Sequence, residues 1–339
     1  MLTIVPTVDT EGFHGSAPFE RFILGKIDGS GEEWGVFRIQ DICRRNGASA
    51  TFFTDVTESI YWGEDKFRDL TRRLADAGAD IQLHTHPEFR GPKDGATRQP
   101  AAERILGPSA GRIRGPMTGL SFDQQRAFLE AGIGMIKRWT GTAPVAHRSG
   151  GYAINADTVR ALAAVGIPLD SSMNAGHSNS KITWSNNAVV QRDGVIELPV
   201  TNQNYTFRLA GVELYRRAIK TDINACGVAE LVAYVDDAVA GGATLMNLFM
   251  HSYSLLRFDR RYRRFSPDRA AARRLDRFLA LMRQREDVRV MNCAQVLDRY
   301  RKSPGEFIGP DLVPARNAAA LIARRGVQEI RRFSERLSP

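Results

Sequence analysis

Residues 2–12 read LTIVPTVDTEG, an apolar and β-branched run that leads directly into Asp9 and Glu11. Such a run predicts a buried strand, and the polar residues that follow mark its carboxyl end. Asp9 and Glu11 are two residues apart, so they project to the same side if the chain stays extended. Two carboxylates that close repel each other unless a cation, an arginine or a shared proton relieves them. Taken alone, the pattern also fits a solvated turn after an edge strand.

A second polar cluster follows another strand-like run, in the segment LHTHPE at residues 83–88. His84, His86 and Glu88 offer the nitrogen and oxygen ligands that Zn²⁺ and other divalent ions prefer. His84 and His86 share a side of an extended segment, whereas His84 and Glu88 converge in a helical turn. The residues alone leave both ligand pairs open.

Three further positions could complete a site. Arg148 precedes two glycines in HRSGGY, where it could hold a buried carboxylate through a charge-assisted pair. Asp170 could orient a histidine or cap a turn. His251 ends the apolar run LMNLFM, and an imidazole there could act as a general acid near neutral pH or be a satisfied core histidine. In α/β barrels, active sites assemble at the carboxyl ends of successive strands.

The alternation of short strand-like runs with amphipathic stretches predicts an α/β architecture with a mainly parallel sheet. We expect one domain over residues 1–305, followed at 306–339 by a basic amphipathic helical tail packed on that domain. Residues 89–119, rich in Gly, Pro and Arg, are expected to form a long surface excursion near the mouth of the site.

Composition limits the classes of protein that the chain can be. The 339 residues have an apolar fraction of 43% and only three cysteines, which excludes a disulfide-stapled scaffold. The net charge of +9 is concentrated in the last third, without a nucleic-acid-reading motif, so no nucleic acid is expected as a partner. Contact of the basic C-terminal region with an anionic glycan or a membrane surface is the alternative to a plain solvated surface. The N-terminus shows no signal-peptide pattern, so we expect a cytoplasmic protein, with a peripheral position at the inner membrane face as the alternative.

The order of these motifs resembles the polysaccharide deacetylase family, also called the NodB-homology family or carbohydrate esterase family four. The matching segments are TVDTEG, ADIQLHTHPE, AHRSGGYAIN, PLDSSM and LFMHS, with ASATFFTDV as a supporting strand, over about residues 3–252. The resemblance implies a distorted, incomplete (β/α) barrel. It also implies a hydrolase that removes the N-acetyl group from an amino sugar with a divalent metal, for which Zn²⁺ is our first expectation.

The resemblance also implies roles for individual residues. Asp9 matches the base, His251 the acid, Arg148 the arginine that holds the base, and Asp170 the aspartate that orients the acid. The family's adjacent metal-binding aspartate is replaced by Thr10, which moves that role to Glu11. His84 matches the first metal histidine, but Glu88 stands where the second is usual, with His86 between them. The expected metal ligands are therefore Glu11 and His84 with His86, Glu88 or both.

Three residues are expected to contact substrate: Tyr152 and Trp184 by stacking on sugar rings, and Gly151 by close backbone approach. The expected substrate is an acetylated amino sugar in a polysaccharide, a lipid-linked saccharide or a sugar precursor. The altered histidine segment keeps open a hydrolase of another C–N amide or formamide, without metal. A non-catalytic carbohydrate-binding protein is the third hypothesis.

Overall fold

The computed structural model describes residues 1–12, 19–27, 31–90, 100–107, 113, 115–182, 184–209, 212–259, 261–311, 313 and 323–329. Within these ranges a curled, mainly parallel sheet is flanked by helices, which gives the expected incomplete (β/α) barrel. The strands of the described ranges are β1 (Leu2–Thr10), β2 (Thr51–Asp55), β3 (Asp80–Thr85), β4 (Ala146–Ser149), β5 (Leu169–Asp170), β6 (Val190–Arg192), β7 (Val195–Glu197), β8 (Asn202–Leu209), β9 (Val212–Lys220), β10 (Leu245–His251), β11 (Leu256–Phe258), β12 (Phe265–Pro267) and β13 (Val288–Val290).

Helices cover the sheet and bury its apolar residues. They are α1 (Phe19–Phe22), α2 (Val36–Arg45), α3 (Ser59–Trp62), α4 (Glu64–Asp76), α5 (Ala101–Leu106), α6 (Phe122–Thr140), α7 (Ala156–Ala164), α8 (Val228–Ala240), α9 (Arg269–Arg283) and α10 (Cys293–Lys302), with 3₁₀ turns at Met117–Gly119, Gly150–Tyr152 and Pro304–Phe307. The longest, α6, begins at a capping box in which Ser121 and Gln124 satisfy each other's backbone N–H groups. It ends at Gly141 in the left-handed region, as glycine permits.

In the sheet, β1 pairs with three other strands, β10, β2 and β13. The strand order of the sheet is β10-β1-β2-β3-β4-β5-β7-β6, with β13 also paired to β1, and only β6 runs antiparallel to its neighbour. All nine residues of β1 are buried, which explains why its sequence is an almost unbroken apolar run.

Strand register alone brings the sequence motifs together. Asp9 pairs with His251 on one side and with Phe53 on the other. Across the next two strand pairs His84 is opposite Asp55 and Arg148. The polar residues that end these strands therefore lie in one row along the carboxyl edge of the sheet.

Two regions differ from the sequence-based expectation or only partly overlap the described residues. The long hairpin β8–β9 was not among the expected strands, although Tyr205, Phe207 and Leu209 alternate with polar residues in the sequence. Of the expected surface excursion, residues 91–99, 108–112 and 114 lie outside the described ranges, and α5 interrupts the remainder.

Of the predicted helical tail over 306–339, the structure describes residues 306–311, 313 and 323–329, and residues 323–329 form an α-helix. Its Arg325 and Gln328 are buried against the domain. The domain boundary at residue 305 stays a prediction.

Candidate active site

A group of three metal-binding side chains lies at the carboxyl end of the sheet. One ligand atom from each of Glu11, His84 and His86 falls within 4.8 Å of the others. Oε2 of Glu11 is 3.2 Å from Nε2 of His84 and 2.7 Å from Nε2 of His86. One carboxylate and two imidazoles form the donor set of many catalytic zinc sites.

The two imidazoles are held so that their Nε2 atoms face the carboxylate. Nδ1 of His84 lies 2.8 Å from the backbone oxygen of Arg148, and Nδ1 of His86 lies 3.0 Å from Oε1 of Glu88. Metal-binding histidines commonly donate their second N–H to a carbonyl or a carboxylate in this way. Nε2 of His86 is buried and points at Oε2 of Glu11, so a cation between these two atoms would have both as ligands. These residues fit a divalent metal.

The geometry groups His86, and not Glu88, with Glu11 and His84. Glu88 was expected as a metal ligand, but it is outside the three-residue group. The segment after β3 stays extended long enough to give His84 and His86 a common side. Glu88 instead accepts from the far nitrogen of His86.

Gly150 allows His86 to occupy this position. A Cβ atom at residue 150 would lie 2.3 Å from Cε1 of His86 and 2.4 Å from both of its ring nitrogens. No side chain tolerates such a contact, so the glycine leaves the space that the imidazole fills.

The charges in the group are strongly coupled. Burial by itself raises the pKa of Glu11, but His86 and His84 outweigh it and hold that pKa well below the usual range. Burial lowers the pKa of His86, while Glu11 and Glu88 more than compensate and raise that pKa well above its ordinary value. A cation that binds here must displace a proton from His86, so its affinity is expected to increase with pH.

Asp9 is fixed by a buried arginine. Nη1 of Arg148 donates to Oδ1 of Asp9 at 2.7 Å and to Thr7 at 3.1 Å. Its Nε and Nη2 donate to the backbone oxygen and the hydroxyl of Ser171 at 2.9 and 2.8 Å. The guanidinium is fully buried and lies 4.3 Å from the ring centroid of Phe53, so Asp9 is aimed by a rigid, positively charged partner.

His251 faces the metal-binding group across β1. Its Nε2 lies 3.6 Å from Oε1 of Glu11, and its ring stacks on Tyr253 at 4.8 Å with an interplanar angle of 14°. Burial lowers the pKa of His251, although Glu11 opposes this effect. The histidine is therefore a partly exposed acid–base group next to Asp9 and Glu11.

Asp170 does not make the contact with His251 that the resemblance implied. Its Oδ1 lies 2.7 Å from Nδ1 of His147, and its carboxylate also accepts from Ser172. Nε2 of His147 lies 3.0 Å from the hydroxyl oxygen of Thr85. All of these side chains are fully buried. In the strand order of the sheet, β1 to β4 lie between β5, which carries Asp170, and β10, which carries His251, and the aspartate contacts the ends of its neighbouring strands instead of the acid.

The three expected substrate residues have different surroundings. Tyr152 lines a cavity of about 440 Å³ that also includes His251. Gly151 is exposed, with its backbone oxygen accepting from Asn179, and its contact with substrate stays a prediction. Trp184 is absent from the described lining of that cavity, because its ring packs on the core and under Arg192.

Sequence reasoning missed several residues around the site. Glu58 is buried and accepts the N–H of Gly12 at 2.6 Å, which holds the turn after Glu11. Burial, then Asp55 and Glu11, raise the pKa of Glu58 well above its usual value. Lys220 at the end of β9 lines the cavity. Glu58 follows a recognisable strand by three residues and could have been considered, whereas Lys220 is hidden among many basic residues.

Comparisons with solved structures bear on the fold. A protein from Mycobacterium smegmatis described as a polysaccharide deacetylase superposes with a TM-score of 0.51 at 19% identity, over 93% of this chain and 94% of that one. A 4-alpha-glucanotransferase from Thermococcus litoralis gives the same TM-score at 10% identity, over 88% of this chain and 40% of that one. No protein-family model and no curated protein matches the sequence. The chain therefore has an incomplete (β/α) barrel like that of the Mycobacterium smegmatis protein, and a likeness at this level of identity shows the fold alone.

Among the described residues, no helix combines the length and the apolar character needed to cross a membrane.

Proposed function

We propose that this protein is a metal-dependent hydrolase that removes the N-acetyl group from an amino sugar. The observation that carries the proposal is the convergence of Glu11, His84 and His86 beside Asp9 and His251 at one edge of the sheet. The motif order, the fold of the Mycobacterium smegmatis protein and this geometry support the same conclusion independently.

Glu11, His84 and His86 would hold the divalent ion, for which we propose Zn²⁺ from the two-imidazole, one-carboxylate donor set. Such an ion, when bound, activates water and polarises an amide carbonyl. Glu88 orients His86, and the backbone oxygen of Arg148 orients His84.

Asp9 and His251 carry the proton transfers. Asp9, held in place by Arg148, accepts a proton from the attacking water. His251 donates a proton to the departing nitrogen, so that the sugar leaves as an amine. Each transfer is typically worth ~10²–10⁴ in rate, so the loss of either side chain should nearly abolish turnover. Asp170 does not contact the catalytic pair directly. It fixes the side chain of His147 on β4.

The test is amine release from a panel of N-acetylated mono- and oligosaccharides, with wild-type protein and the Asp9→Asn and His251→Ala variants. We expect acetate and a free amine in equal amounts from at least one sugar, and a loss of at least ~10²-fold in kcat for each variant. Thr10→Ser, beside the base but outside the metal-binding group, is the matched control. Hydrolysis that both catalytic variants retain would refute the roles proposed here.

The same panel separates the alternatives from sequence analysis. An amide or formamide hydrolase would act on simple amides and not on acetamido sugars, and a carbohydrate-binding protein would release nothing. A cytoplasmic location and contact of the C-terminal region with an anionic glycan or a membrane stay predictions.

A further inference from the structure

The cavity next to His251 has a basic lining. Its volume of about 440 Å³ is within the range of small-molecule pockets. No Asp or Glu is among its described lining residues, although the metal-binding group next to it is rich in carboxylates. The polar side chains of the wall are those of Tyr152, Asn174, His177, Asn202, Lys220 and Arg325.

Only one of the two cations in this wall is neutralised by a carboxylate. Arg325 pairs with Glu329 and lies 3.6 Å from Glu230. Lys220, in contrast, forms no direct ion pair with a carboxylate of the described residues, although the charges of Asp222 and Asp9 attract it. Its Nζ donates to the hydroxyl of Tyr152 at 2.6 Å and lies 3.7 Å from the ring centroid of Phe249. The direct contacts of Lys220 at the cavity wall are therefore with neutral groups, the hydroxyl of Tyr152 and the ring of Phe249.

The Lys220–Tyr152 pair leaves hydrogen-bond donors for a ligand. A lysine ammonium has three N–H donors, of which Tyr152 takes one. Because the Tyr152 oxygen accepts from Lys220, its own proton is available to another acceptor. An ammonium and a hydroxyl so placed suit an anion better than a neutral hydroxyl group, because charge-assisted hydrogen bonds are roughly twice as strong as neutral ones.

The distance between Lys220 and His251 limits which part of the substrate can carry that anion. The Phe249 ring, which Lys220 covers, is 4.9 Å between centroids from the His251 ring. One aromatic ring thus separates the proposed acid from the ammonium. A group that contacts Lys220 while His251 serves the scissile amide must be on the same sugar or directly attached to it.

We propose that Lys220 and Tyr152 form an anion-binding subsite, and that the substrate is an acetamido sugar carrying a carboxylate or a phosphate. This inference rests on the proposed deacetylase function and adds the substrate class to it. Lys220 binds the anion through its charge, and Tyr152 orients it as a neutral donor.

The experiment compares three probes: N-acetylglucosamine, N-acetylglucosamine 1-phosphate and N-acetylglucosaminuronic acid. Their binding to metal-loaded protein is measured by calorimetry at ~0.1 M salt, in an Asp9→Asn background that suppresses turnover. We expect at least one anionic sugar to bind about 10- to 100-fold more tightly than the neutral one, and the two anionic probes separate phosphate from carboxylate recognition.

Variants at Lys220 identify the source of that preference. Lys220→Met should remove the preference for the anionic sugar, and Lys220→Arg should keep part of it. Lys137→Met, which removes an exposed lysine from α6, is the matched control and should leave the preference unchanged. Retention of the preference in Lys220→Met, or equal binding of all three sugars by the Asp9→Asn protein, would overturn the inference. Equal binding of the three sugars is tested without a Lys220 variant, so this outcome tests the anion-binding subsite even if Lys220→Met fails to fold.

Failure of this inference differs visibly from failure of the proposed function. Amine release by wild-type protein from neutral sugars alone would refute the anion subsite and support the deacetylase. Lys220-dependent binding of an anionic sugar, without amine release from any sugar, would support the subsite and refute the deacetylase.

Discussion

Replacing Arg148 by methionine should both destabilise the protein and disable the base. The guanidinium is fully buried and donates to Asp9, Thr7 and two oxygens of Ser171. Methionine fills much of the volume but leaves the Asp9 carboxylate, only 4% exposed, without its cation. Removal of one partner from a buried ion pair typically costs ~3–5 kcal/mol, and we expect a loss of that size in the free energy of unfolding. Chemical denaturation of metal-free protein measures it.

Two controls separate charge from geometry. Arg148→Lys restores a positive charge but cannot reach Asp9 and Ser171 together, so it should recover part of the stability and little of the activity. Asp9→Asn keeps an acceptor for Arg148, so it should lose activity with a smaller loss of stability than Arg148→Met. A change below ~1 kcal/mol in Arg148→Met, with turnover within tenfold of wild type, would refute the account of how the base is held.

Three further outcomes follow from the site. In Gly150→Ala the new Cβ would lie 2.3 Å from Cε1 of His86, so the ring should move and metal binding should weaken. Competition with a chromogenic chelator measures the metal affinity, and an unchanged affinity would show that the ring has another position. Glu88→Gln should reduce metal affinity ~10–100-fold without abolishing it, because the carboxylate only orients the ligand; complete loss would make Glu88 a ligand after all. Burial, followed by the charge of Asp170, raises the pKa of Glu197 well above its usual value, so the folded chain keeps a proton that the unfolded chain releases above pH ~4.3. The wild-type free energy of unfolding should therefore fall as pH rises above that value, by at most ~1.4 kcal/mol per pH unit from this group, and Glu197→Gln should lack that part of the slope.

Much of the fold follows from local sequence patterns. The β1 and β10 runs are mainly apolar or β-branched because parallel strands are buried on both faces, and Asp9 and His251 lie at or next to their carboxyl ends. The register of the parallel β1–β10 pair then brings Asp9 next to His251. This proximity follows from the strand pairing and from no local sequence pattern. The expected barrel and the row of polar strand ends are confirmed for these reasons.

Other features depend on tertiary contacts that the sequence does not encode locally. The choice of His86 over Glu88 depends on how far the backbone stays extended after β3 and on the space that Gly150 leaves. The resemblance implied His251 as the partner of Asp170, whereas the structure places His147 next to it across β4 and β5. Lys220 is distinguished from other basic residues by its position in the cavity wall, which only the structure reveals.

The central claim is tested most directly by titrating Zn²⁺ into metal-free protein while measuring amine release from an acetamido sugar. Activity should be absent without metal, increase linearly with added ion, and level off at one ion per chain. The His86→Ala variant should show no such saturable rise, since it removes one ligand of the group formed with Glu11 and His84. Full activity in metal-free protein, or no amine release by protein that has bound its ion, would contradict the assignment of a metal-dependent deacetylase.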